Sequence, residues 1–284
     1  MKTLISAAEL HALDRNDVLI ADCRSNLADV DGGARDYAKA HIPNAVYADL
    51  NRDLSDLSKL GVGRHPLPNA DAFSRVLSRW GWAPQTFVVA YDDAGGALAA
   101  SRLWWMLRLV GGNGAVLDGG IKAWTSAGFE LTDAVTARTP SNVDVAFDAS
   151  QIVMTDELQR LRNDSRTLLL DARAAPRYRG ETEPIDRVAG HVPRARNRPF
   201  SENLGEGGTI KSAADLRSAF TAAIGGHASR DVVHMCGSGV TACHNLLAME
   251  HAGLAGSRIY APSWSGWIAD DGRDIAVGAD STIS

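Results

Sequence analysis

The segment Val232-Val233-His234-Met235-Cys236-Gly237-Ser238-Gly239-Val240-Thr241-Ala242-Cys243 joins a nucleophile to a backbone that could activate it. The apolar run reads as a short buried strand, Cys236 opens a loop, and a helical pattern starts near Thr241. Gly237 and Gly239 free the backbone to turn N–H groups inward. Such a turn at a helix N-terminus forms an anion nest, and the helix end favours thiolate over thiol. The thiolate is the nucleophile, so the loop suits sulfur chemistry at Cys236.

Four chemistries compete for this loop. A dinucleotide site is suggested because Gly237-x-Gly239-x-x-Ala242 fits the G-x-G-x-x-G/A pattern. That site expects an acidic residue at the end of the next strand, and Tyr260-Ala261-Pro262 supplies none. A cysteine phosphatase would need arginine at position 242 to grip a phosphoryl group, and Ala242 stands there. A metal site is disfavoured because Cys236 and Cys243 are too far apart for a zinc knuckle, although His244 adjoins Cys243. Sulfur transfer fits best: a thiolate that takes sulfur from a donor becomes a persulfide, and N–H donors stabilise both anions. No metal and no cofactor are expected.

Such a loop needs elements to position it, and the chain is long enough for two domains at 284 residues. Hydrophobic content of 45% and charged content of 22% predict a globular core, and a net charge of −5 gives no reason to expect nucleic acid or an anionic membrane as partner. The first residues turn polar at Glu9, too early for a signal-peptide core, and no apolar run is long enough to span a bilayer. Three cysteines make an odd count that argues against a disulfide framework and for a reducing compartment. The expected location is cytoplasmic. Strands are predicted at 18–21, 86–91, 115–117, 168–170, 231–235 and 258–260, with helices at 70–80, 97–109, 213–223 and 241–252.

Beneath this α/β pattern lies a repeat. Asp22-Cys23-Arg24 returns as Asp171-Ala172-Arg173, and His41-Ile42-Pro43 returns as His191-Val192-Pro193. Ala90-Tyr91-Asp92 corresponds to His234-Met235-Cys236, and the Gly119 to Trp124 stretch corresponds to Pro262 to Trp267. Four anchors in one order, at offsets drifting from about 150 to about 143, imply duplication. The expected division is a non-catalytic domain over 1–131, a linker over 132–150 and a catalytic domain over 151–284. Asp92 stands where the second copy has Cys236, and it reads as a helix cap.

These motifs resemble the tandem-domain rhodanese-type sulfurtransferases over nearly the whole chain. The resemblance rests on Asp22-Cys23-Arg24, Asp171-Ala172-Arg173, Arg177-Tyr178-Arg179-Gly180-Glu181, Gly190-His191-Val192-Pro193 and the loop Cys236-Gly237-Ser238-Gly239-Val240-Thr241. It implies an α/β fold of two tandem domains, each a five-stranded parallel sheet flanked by helices. It also implies that Cys236 and Ser238 are catalytic and that the loop residues Gly237, Gly239, Val240 and Thr241 bind substrate. Arg177 matches the family's carboxylate-binding arginine, Arg187 is the nearest candidate for a second one, and His65 matches a substrate-lining position. Members preferring thiosulfate carry cationic residues after the cysteine. The Gly-Ser-Gly found here resembles members that prefer 3-mercaptopyruvate. The expected partners are a small-molecule sulfur donor and a thiol, thioredoxin-like or cyanide acceptor. Thiosulfate:cyanide transfer is the alternative, and a non-catalytic sulfur-relay module is the rival from another class.

Overall fold

The computed structural model describes residues 2–14 and 17–279. Its strands are β1 (Leu4–Ile5), β2 (Val18–Asp22), β3 (Ala45–Tyr47), β4 (Phe87–Tyr91) and β5 (Asn113–Leu117), followed by β6 (Ile152–Val153), β7 (Leu168–Asp171), β8 (Arg196–Asn197), β9 (Val232–Met235) and β10 (Arg258–Tyr260). The helices are α1 (Ala7–Ala12), α2 (Gly32–Lys39), α3 (Ala70–Arg79), α4 (Ala99–Leu109) and α5 (Gly120–Ser126). In the second half they are α6 (Thr155–Leu161), α7 (Ala175–Tyr178), α8 (Ala213–Ile224), α9 (Thr241–His251) and α10 (Ser263–Trp267).

Each half builds one five-stranded parallel sheet, in the order β1-β5-β4-β2-β3 and β6-β10-β9-β7-β8. The two orders are the same order written twice. Parallel strands covered on both faces need apolar side chains on both faces. Val18 to Asp22 and Leu168 to Asp171 are accordingly buried at every position. Ile5, Val18, Val89, Leu117 and Trp124 fill the first core; Val153, Leu169, Val233, Trp264 and Trp267 fill the second.

The repeated polar motifs form the same contacts in each copy. Arg24 grips Asp22 through Nε at 3.0 Å and reaches the Ala40 carbonyl, while Arg173 grips Asp171 through Nη2 at 2.7 Å and reaches the Gly190 carbonyl. His41 stacks on Tyr37 at 4.0 Å and His191 on Tyr178 at 3.8 Å. Both histidine rings also hydrogen-bond a tyrosine carbonyl at 2.8 Å. These are architectural roles, because the same contacts recur in both halves.

The chain divides into two compact units, 1–56 with 68–148 and 205–210, and 57–67 with 149–204 and 211–284. Residues 57–67, which include His65, therefore belong to the second unit rather than to a continuous first domain. The 132–148 stretch is irregular but is not a free tether. Ser141 N–H donates to the Ser78 carbonyl, Arg138 reaches the Val18 carbonyl, and Phe147 lies 5.8 Å from Phe73.

In β9 the buried His234 ring sits 3.1 Å from Ser257 Oγ through Nε2, and its Nδ1 has no partner among the described residues. Burial disfavours the imidazolium and lowers its pKa to about 3. The unfolded chain takes up this proton near its ordinary value, whereas the folded chain resists it. The stabilisation is thus complete above about pH 6.5 and is lost as the pH falls towards 3, amounting to about 2 kcal/mol by pH 5. Urea unfolding at pH 8 and pH 5 should show this loss in the wild type and a correspondingly smaller one in His234→Gln. Equal losses in both proteins would contradict it.

Candidate active site

In an open parallel sheet, sites form beyond the carboxyl ends of the strands where the strand order reverses. In the second sheet that point lies between β7, which continues to β8 on one side, and β9, which continues to β10 on the other. Arg173 lies two residues past the end of β7, and Cys236 directly follows β9. Topology alone therefore places the cysteine where a ligand would sit.

Cys236 is 2% exposed and leads into α9. The Gly239 N–H donates to its Sγ at 3.2 Å, with Gly239 at φ +76°. That left-handed conformation costs a residue with a side chain roughly 1–2 kcal/mol. Val240 caps α9 and Thr241 opens it, so the positive end of an eleven-residue helix faces the sulfur's loop. The Cys236 N–H donates to Ser263 Oγ at 3.2 Å, and the Cys236 and Gly237 carbonyls accept from Trp264 and Ser265 N–H, each at 2.9 Å. The first turn of α10 thus holds the loop from behind.

Ser238 is buried, and its Oγ is hydrogen-bonded to His65 Nδ1 at 2.9 Å. Gly237 leaves room for two guanidinium groups. A Cβ there would lie 3.1 Å from Arg64 Nη2 and 3.6 Å from both Arg177 Nη2 and Asp186 Oδ2. Arg177 is held by Glu183, with Nη2 2.7 Å from Oε1, and contacts Asp186 at 3.1 Å. Arg64 Nη1 contacts the other Asp186 oxygen at 2.5 Å.

Burial opposes the charge on Glu183, but Arg177 and the N–H groups of Asp186 and Ile185 hold its pKa below the ordinary glutamate value. Burial likewise opposes the Arg173 charge. Asp171, Glu183 and the nearby Cys236 outweigh it and raise the guanidinium's pKa. Arg173 also lies over the Trp264 ring at 4.7 Å.

The structure brings Cys236, Gly237, Ser238, Gly239, Val240, Thr241, His65 and Arg177 together. It does not bring Arg187 with them. That side chain is 54% exposed, pairs with Asp271 at 2.5 Å and hydrogen-bonds the Ile268 carbonyl. The preceding residue, Asp186, points into the site instead. Arg179 pairs outside with Glu181. Trp264 and Trp267 are fully buried core residues. Sequence reasoning missed Arg64, Glu183, Asp186 and Ser263; the signal for Arg64 was its place beside His65 in Arg64-His65-Pro66.

The first half carries the same loop with a different occupant. The Asp92 carboxylate accepts from the N–H groups of Ala94, Gly96, Leu98 and Ala100 at 2.9, 2.8, 3.0 and 3.4 Å. Burial outweighs these bonds and raises its pKa to about 6. Cys23 is also buried, and burial together with Asp22, Asp92 and Asp53 pushes its pKa well up, which makes an inert thiol. Cys243 donates to the Gly239 carbonyl at 3.4 Å from inside α9. Among the described residues no group of three or more His, Cys, Asp or Glu side chains is placed to hold a metal ion.

Fold and loop together define a duplicated α/β protein with one cysteine-bearing anion loop. The rhodanese-like domain family matches residues 6–127 and 154–270, and the chain belongs to that family. It is 45% identical to a probable 3-mercaptopyruvate sulfurtransferase of Pseudomonas aeruginosa, over 97% of this chain and 98% of that one. It is 31% identical to a thiosulfate sulfurtransferase of Cricetulus griseus, over 82% of this chain and 79% of that one. The solved 3-mercaptopyruvate sulfurtransferase from Leishmania major superposes with a TM-score of 0.82 at 32% identity, covering 93% of this chain and 73% of that one.

The Gly239 turn carries a prediction. Gly239→Ala should lose about 1 kcal/mol of stability and slow alkylation of Cys236 by iodoacetamide at pH 7 several-fold, because the strained turn draws its N–H away from the sulfur. A wild-type alkylation rate in a folded variant would show that this N–H does not support the thiolate.

Proposed function

We propose that this chain is a sulfurtransferase that takes sulfur from 3-mercaptopyruvate onto Cys236 and releases pyruvate. The observation that carries the reading is the buried Cys236 sulfur, which accepts the Gly239 N–H at the N-terminus of α9 with Arg177 alongside. The Cys236 thiolate attacks the donor sulfur, forming an S–S bond as the donor C–S bond breaks. The electron pair passes to carbon as the enolate of pyruvate, which then takes a proton. Ser238 supports that step. Its hydroxyl, hydrogen-bonded to His65, can donate to the donor's carbonyl oxygen as negative charge builds there.

The persulfide left on Cys236 is then attacked at its outer sulfur by a thiol, a thioredoxin or cyanide. The acceptor gains the sulfur, and Cys236 returns as thiolate. Arg177 binds the donor carboxylate, because a planar guanidinium matches two oxygens. Gly237, Gly239, Val240 and Thr241 supply the cradle around the sulfur. The rest of the second unit is the catalytic domain in this reading, and the first domain is non-catalytic because Asp92 cannot act as a thiol nucleophile.

Three free cysteines, all buried, fit a reducing compartment, and we place the protein in the cytoplasm. Among the described residues no helix is long and apolar enough to cross a membrane.

Thiosulfate is the second donor to weigh, because its two charges would also suit a pair of guanidinium groups. Mass spectrometry after treatment with 3-mercaptopyruvate should show one added sulfur on Cys236, and Cys236→Ser should lose turnover while keeping its fold. Retained turnover in Cys236→Ser would end the mechanism. A tenfold higher kcat/KM for thiosulfate would reverse the choice of donor.

A further inference from the structure

We infer that Arg64 is the second guanidinium that binds the oxyanion end of the sulfur donor, in the role that Arg187 does not fill. The inference rests on the proposed chemistry at Cys236. Arg64 comes from the 57–67 segment of the second unit, anchored where its N–H donates to Ser265 Oγ at 2.9 Å. Its side chain lies against Gly237, and a single Cβ at that position would come within 3.1 Å of Nη2. The nearest neighbours of that same Cβ position also include Arg177 and Asp186. Two guanidinium groups therefore meet beside the residue that follows the nucleophile.

Asp186 organises the pair. One of its oxygens takes Arg64 Nη1 at 2.5 Å and the other takes Arg177 Nη2 at 3.1 Å. Its side chain is 4% exposed, so this carboxylate sits inside the site as a fixed spacer. It does not use up the donors. Arg64 Nη1 takes the Asp186 bond, and Arg64 Nη2 faces the loop. The Arg177 bonds run through Nε and Nη2, and among the described residues Nη1 is left unengaged.

A carboxylate or sulfonate placed beside Gly237 would meet Arg64 Nη2, the atom that faces the loop, with its sulfur towards Cys236. Arg64 would then act on binding and orientation of the donor, and Asp186 would be a positioning residue for both arginines.

Alkylation of Cys236 by two reagents of nearly equal shape tests this. Iodoacetate carries a carboxylate and iodoacetamide does not. Peptide-resolved mass spectrometry gives the rate of each at Cys236, and the ratio of the two reports binding of the anion rather than reactivity of the sulfur. Arg64→Gln should lower the iodoacetate-to-iodoacetamide ratio about tenfold, and Arg64→Lys should lower it less, keeping the charge but losing the fork. An unchanged ratio in Arg64→Gln, with Cys236 still modified, would overturn the inference and leave the chemistry at Cys236 intact. So would a fall in Arg187→Gln that Arg64→Gln does not show. If Arg64→Gln does not fold, the Arg64→Lys ratio decides, and no change there overturns the inference. Failure of either reagent to modify Cys236 in the wild type would overturn both the inference and the proposed function.

Discussion

The buried pair between Arg173 and Asp171 is the interaction from which the rest of the site is built. Asp171 ends β7, and Arg173 turns back to hold it through two nitrogens while also reaching the Gly190 carbonyl and the Trp264 ring. Glu183 lies 3.5 Å further on and takes Arg177, which in turn meets Asp186 and, through it, Arg64. An alternating row of charges thus runs from the sheet to the edge of the cysteine loop. Removing one member of a buried pair leaves the other uncompensated, at a cost of about 3–5 kcal/mol. The guanidinium groups beside Gly237 are therefore only as well placed as the pair at the far end of the row.

The duplication shows which parts of this arrangement belong to the scaffold. Asp22 and Arg24 repeat the ion pair, and Tyr91 adds a hydroxyl donor to Asp22 at 2.8 Å. His41 and His191 bridge to Thr132 and Ala276 at corresponding places. What differs is the residue at the end of the fourth strand of each sheet. A carboxylate satisfies the first loop permanently, whereas a thiol in the second leaves a nucleophile at the same point. The chemistry is a local replacement on a scaffold that appears twice.

Much of this was legible in the sequence because it is local. The cysteine, its two glycines, the strand before it and the helix after it are contiguous, and the repeat fixes their place in each sheet. Six of the strands were legible as apolar runs. Leu4–Ile5, Ala45–Tyr47, Ile152–Val153 and Arg196–Asn197 were not, because two or three residues are too few to show a period, and of the strands that short only Arg258–Tyr260 was legible. The arginine pair was legible only in part. Arg177 lies in a motif that fixes its register, but Arg187 follows a turn whose length decides which side chain points inward. Asp186 points inward, and the second guanidinium comes from more than 100 residues earlier in the chain. Spacing in sequence carries no information about such a meeting.

The carboxylate in the first loop has a further meaning. Asp92 is an anion tethered to its own binding site, so its effective concentration there exceeds that of any dissolved competitor. Above about pH 6 the first loop is saturated by its own side chain, whatever other anions the medium contains. The second loop offers comparable backbone geometry to a sulfur that changes its substituent during a reaction cycle. One copy is thereby insulated from small anions in solution, and the other must respond to them.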